Sequence, residues 1–177
     1  MNPYQHLNAL ARQAFEHWGA GRLAEAAEGY AAAIAVARDG GLPAVADLHA
    51  QLAGVLDAQG RLDAAVAQSE LALAAEQAQG GADDAWPSVK VARHFLADRL
   101  VRQGQAQRAL EVLAPSLVAL PNDWLLNLTQ SEALFATGRT ADARAAAERS
   151  LGNASSQDKR TQLAERLAPV LSTRGSG

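Results

Sequence analysis

Four glycines, Gly21, Gly60, Gly104 and Gly138, recur in matched surroundings, and this self-similarity constrains the fold more than any other feature of the chain. Each follows a stretch with helical apolar spacing and precedes another. The segments they open read Gly-Arg-Leu-Ala-Glu-Ala, Gly-Arg-Leu-Asp-Ala-Ala, Gly-Gln-Ala-Gln-Arg-Ala and Gly-Arg-Thr-Ala-Asp-Ala. An alanine lies five residues beyond each glycine (Ala26, Ala65, Ala109, Ala143). A bulky aliphatic lies thirteen beyond, at Ile34, Leu73, Leu117 or Leu151. Seven residues before each glycine stands a small side chain: Ala14, Ala53, Ala97 or Ser131.

The physics of such a pattern is a helix hairpin. Glycine adopts the left-handed conformation that ends a helix at little cost. Small residues on either side of the turn let two antiparallel helices cross closely. Leu56, Leu100 and Leu134, four residues before their glycines, fill the space beside the crossing, and His17 takes that place in the first unit. Glycine-to-glycine spacings are 39, 44 and 34 residues. The two longer ones carry extra residues at Gly40-Gly41-Leu42-Pro43 and between Gly80 and Pro87. Both are glycine-pair breaks followed by a proline suited to a helix's first turn. Pro121-Asn122-Asp123 does the same before the fourth unit.

The pattern predicts nine helices, over about 3–19, 22–38, 43–59, 62–79, 86–103, 106–119, 123–137, 140–151 and 157–171. Asn2 before Pro3 reads as an N-cap, as does Ser155 or Ser156 before Asp158. The ninth helix has no partner in sequence. Its Leu163, Leu167, Val170 and Leu171, set among Lys159, Arg160, Glu165 and Arg166, suit a polar-faced terminal cap. The expectation is one all-α domain over 1–171, with a disordered tail over 172–177.

Composition agrees. Hydrophobic residues make up 49% of the chain but aromatics only 5%. The balance is largely alanine, the best helix former, and β-branched residues are sparse. Net charge is −3 with no basic run, so nucleic acid is not an expected partner. No apolar stretch approaches membrane-spanning length, and the first residues lack the pattern of a signal peptide. Cysteine is absent, which removes disulfides, thiol chemistry and cysteine metal sites. A cytoplasmic location is expected. All basic residues but Lys90 and Lys159 are arginine, which points to a GC-rich bacterial source.

The organisation resembles the tetratricopeptide repeat family over residues 7–157. The inter-helix glycine, the alanine five residues on, and Tyr30 four after Ala26 carry the likeness. So do the small-plus-large pairs Ala33-Ile34, Ala72-Leu73, Ser116-Leu117 and Ser150-Leu151, with Pro121 as the closing proline. Leu52-Ala53-Gly54-Val55-Leu56-Asp57-Ala58-Gln59-Gly60-Arg61 also looks like the longer repeats of kinesin light chains. The chain departs from the family in having no tryptophan early in any first helix. Gln13 and Gln130 stand where leucine is usual. The resemblance implies a right-handed α-α superhelical solenoid of about four helix pairs, near 7–40, 46–79, 90–123 and 124–157, plus a capping helix over 157–171.

It also implies function: a protein-interaction module, adaptor or chaperone-like, taking a partner's peptide or helix in the concave groove lined by first helices. Carried over residue by residue, that surface comprises Arg12 and Phe15 in the first unit, and Asp47, Gln51 and Asp57 in the second, with Gly54 leaving room for close approach. The third contributes Val91, His94, Phe95, Asp98 and Arg102, and the fourth Leu125, Leu128, Glu132 and Phe135. Phe95, Leu128 and Phe135 fit either of two roles, anchors in the groove or ordinary core. The positions where some relatives clamp a terminal carboxylate hold Ala11, Phe15, Gln51, Val91 and Phe95, which supply no cation. Alternatives are a self-associating scaffold, including a homodimer, and a sensor of a signalling peptide or small ligand.

The four histidines, His6, His17, His49 and His94, show no metal-ligand spacing. His17 and His49 are expected between helices and His94 at a ligand. Trp86 is expected to staple the start of its helix, the alternative being an exposed hook for a partner, and Trp18 to be the most exposed tryptophan. No nucleophile elbow, phosphate-cradling loop or paired-carboxylate site is present, so neither catalysis nor a cofactor is expected.

Overall fold

A computed structural model describes residues 2–43, 45–80 and 83–172. They form ten helices: α1 (Pro3–Gly19), α2 (Leu23–Asp39), α3 (Ala46–Ala58), α4 (Leu62–Gly80), α5 (Pro87–Arg102), α6 (Ala106–Ala119), α7 (Trp124–Ala136), α8 (Thr140–Gly152), α9 (Gln157–Arg166) and α10 (Ala168–Ser172). The chain divides into two compact units, Met1–Ala82 and Asp83–Gly177. The expected tail falls almost wholly outside the described residues.

Sequence logic accounts for the hairpins. Gly21, Gly60, Gly104 and Gly138 have φ of +74°, +74°, +79° and +78°, so each of the four is the left-handed turn between paired helices. The small residues before them, Ala14, Ala53, Ala97 and Ser131, are fully buried, as are Ala26, Ala65, Ala109 and Ala143 beyond. Asn2 caps α1 by accepting from the Tyr4 N–H, Asp123 caps α7 at Leu125 and Leu126, and Ser156 caps α9 at Lys159.

In the first unit, α1 pairs with α2 and α3 with α4 around Tyr30, Leu52, Val55 and Leu56. The α1–α2 crossing is so close that a Cβ at Gly29 would lie 2.8 Å from the Ala14 Cβ. In the second unit, α5–α6 and α7–α8 are the hairpins, and α9 with α10 packs on α7 and α8. Leu163, Leu167 and Val170 join Leu128, Leu134 and Ala143 in one cluster.

Two boundaries differ from expectation. The third helix starts at Ala46 rather than at 43, so Pro43 precedes it instead of opening it; Val45, with φ −101° and ψ 71°, is the non-helical residue before the first turn. The capping helix is two helices. Pro169 has no N–H to give the carbonyl four residues back, and its ring crowds that carbonyl, so the rod breaks at Leu167.

Candidate functional site

In the first unit the predicted residues Arg12, Phe15 and Asp47 face solvent, with Phe15 63% exposed. Gln51 and Asp57 are half-buried. Gly54 leaves no free room, because the Trp18 ring occupies it: a Cβ there would meet Trp18 Cη2 at 2.8 Å. Trp18 is therefore packed rather than the most exposed tryptophan, edge-on to Tyr30 at 6.4 Å. His49 lies between α3 and α4, hydrogen-bonded to Gln68 at 2.8 Å. His17 is half-buried and accepts from Arg22 Nε.

In the second unit, α5 presents Val91 and Phe95 one turn apart, and Phe95 is 50% exposed. The Arg99 guanidinium lies 5.7 Å from the Phe95 ring centre. Val91 is 38% exposed, and Phe95, also tilted against the His94 ring at 4.9 Å, is a surface side chain and not one of the buried core residues. Leu128 goes the other way: it is 3% exposed and belongs to the cluster beneath α9 and α10. Leu125 and Phe135 are half-buried, and Phe135 packs against that same cluster.

His94 is not at the surface. It is buried and hydrogen-bonded through Nδ1 to Thr129 Oγ1 at 2.7 Å, tying α5 to α7. Desolvation pulls its pKa down to about 4; Asp98 opposes the shift, while Arg166 and Arg99 reinforce it. Trp86 is exposed rather than closed over the start of α5.

The charged residues on these helices have partners within the chain. Arg166 of α9 donates from Nε and Nη2 to both Glu132 oxygens at 2.6 and 2.8 Å, and from Nη2 to Asp98 at 2.6 Å. Arg102 pairs with the other Asp98 oxygen at 3.2 Å. Asp98, Glu132 and Arg166 are thus one cluster, and the paired hydrogen bonds to Glu132 raise the Arg166 pKa above the usual guanidinium value. The sequence reading missed Arg166. The signal was there: the three residues recur at intervals of 34, the length of one bare repeat.

Among the described residues no group of His, Asp or Glu could hold a metal ion. None of their helices is long and apolar enough to cross a membrane.

The sequence matches no family model and none of the curated proteins. Solved structures do match. A single-substitution variant of a Podosopora anserina protein, described as a kinesin light chain with nearly identical TPR-like repeats, superposes with a TM-score of 0.78 at 20% identity, covering 97% of this chain and 87% of that one. Another structure of that repeat protein superposes with a TM-score of 0.67 at 18% identity, covering 99% of each chain. The fold is that of TPR-like repeats. At such identities the likeness speaks to the helical arrangement alone.

Proposed function

We propose that the chain is a non-enzymatic adaptor that holds a peptide or helix of a partner protein against the first helices of its hairpins. One observation carries this reading: Phe95 and Val91 stand exposed one turn apart on α5, although burying them would have stabilised the fold. Exposed aromatic side chains on a rigid helix are typical anchors, because they lose little conformational freedom on binding. Phe15 and Arg12 are likewise exposed, on α1. The absence of cysteine and the arginine-rich basic set support a cytoplasmic, bacterial setting.

The test is a display screen of random peptides against the native chain, followed by titration of the selected peptide into Phe95→Ala. The reading expects weaker binding by at least about 1 kcal/mol with an unchanged melting curve. Selected peptides that ignore both Phe95 and Phe15 would retire it.

A further inference from the structure

The outer surface of the second unit carries a groove that the first-helix reading does not use. It lies between α6 and α8, with a volume of about 450 Å³, within the roughly 300–1,000 Å³ typical of occupied sites. Leu117 and Val118 form its apolar side on α6, Leu134 of α7 contributes to its lining, and Arg139, just before α8, lines it with Asp142 and Arg149 of α8. Val118 is 85% exposed, the most exposed large hydrophobic among the described residues.

Arg149 sets the chemistry. It donates from Nε to Asn127 Oδ1 at 2.8 Å and from Nη2 to Gln130 Oε1 at 3.3 Å. Asn127 is itself fully buried and fixed, donating to the Pro121 and Asp123 carbonyls. The guanidinium is therefore held in place by two neutral amides. No carboxylate pairs with it among the described residues, and its Nη1 has no partner there. Its neighbours differ: Arg139 is satisfied by Asp142, and Arg144 by Glu148. A pre-oriented cation with free donors beside exposed aliphatic side chains favours a carboxylate flanked by leucine-like residues.

We infer that this groove is a second docking surface, for an acidic amphipathic helix of another protein. Two flanking helices form a trough of the kind that takes a helix. Of the two arginines that line the groove, Arg139 is paired with Asp142 and Arg149 with no carboxylate among the described residues, which suits one acidic side chain rather than a polyanion. The surface shares no residue with the Phe95 face and stands or falls separately from it.

The experiment uses a fluorescein-labelled amphipathic helix of leucine and glutamate, about four turns long, and its counterpart with lysine for glutamate. Anisotropy is read on the whole chain at low salt. The glutamate helix should bind, and Arg149→Gln and Val118→Asp should each weaken it about tenfold or more. Phe95→Ala should leave it unchanged. Val118 touches so little that Val118→Asp keeps the native melting curve, which separates lost binding from lost folding. The inference is overturned if the glutamate helix fails to bind, if the lysine helix binds as tightly, or if Val118→Asp has no effect. It also fails if Phe95→Ala abolishes binding, or if sedimentation shows Val118 buried between two copies of the chain.

Discussion

Arg166 of α9 and Glu132 of α7 face each other as a two-point pair, with Nε and Nη2 of the guanidinium at 2.6 and 2.8 Å from the two carboxylate oxygens. The same Nη2 also reaches Asp98 on α5. One side chain therefore ties α9 to both preceding first helices of its unit.

Removing that guanidinium by Arg166→Gln leaves Asp98 and Glu132 as neighbouring like charges. The Arg166 side chain is 44% exposed, so solvent screens much of the cost. The expected loss is about 1 kcal/mol, smaller at high salt. Hydrogen exchange should show faster opening of α9 while α5 and α7 keep their protection.

Acid should weaken the second unit through His94. Its folded pKa of about 4 lies below the ordinary 6.5, so folding favours the neutral ring. That contribution is complete above pH 6.5 and is lost as pH falls from there through 4. The full span corresponds to roughly 3 kcal/mol. Urea melts of the native chain and His94→Gln, compared between pH 7 and pH 4, should differ by an amount that shrinks towards acid. A constant difference would rule this out.

At Gly29 two effects oppose each other. Alanine would add about 1 kcal/mol of helix propensity. Its Cβ, however, would stand 2.8 Å from the Ala14 Cβ, with the Ala14 backbone at 3.3 Å. Both contacts belong to groups that cannot swing aside, so the overlap wins and Gly29→Ala lowers the melting temperature.

Phe95→Ala and Leu128→Ala should separate cleanly. Phe95 is 50% exposed, and its loss should change unfolding free energy by less than about 1 kcal/mol. Leu128 lies under α9 and α10, and its truncation should cost roughly 2–5 kcal/mol. Chemical denaturation of both variants decides the matter.

The hairpins were legible because their signals are local. A left-handed glycine and an alanine five residues on need no distant partner to be recognised, and all four turns stand where that pattern puts them. The break at Leu167 was equally local, signalled by Pro169, but the apolar spacing across it looked continuous. The surface was harder to read. Phe95 and Thr129 both stand nine residues before their glycines, yet one is half exposed and the other fully buried beside His94. Which face of a helix meets a neighbour depends on packing between residues tens of positions apart. The pairing of Arg166 with Asp98 spans 68 residues, and that of Arg149 with Asn127 spans 22. Only the shared interval of 34 hinted at the first, and nothing in the local sequence hinted at the second.

That interval makes the end of the second unit tolerant of growth. If the segment from Trp124 to Gln157 were duplicated in tandem, the new copy would bring its own glutamate to the place Glu132 holds now. Helix α9 would meet the same counter-charge, and the original glutamate would stand in for Asp98. The chain could lengthen by a whole hairpin without its closing contact having to be reinvented.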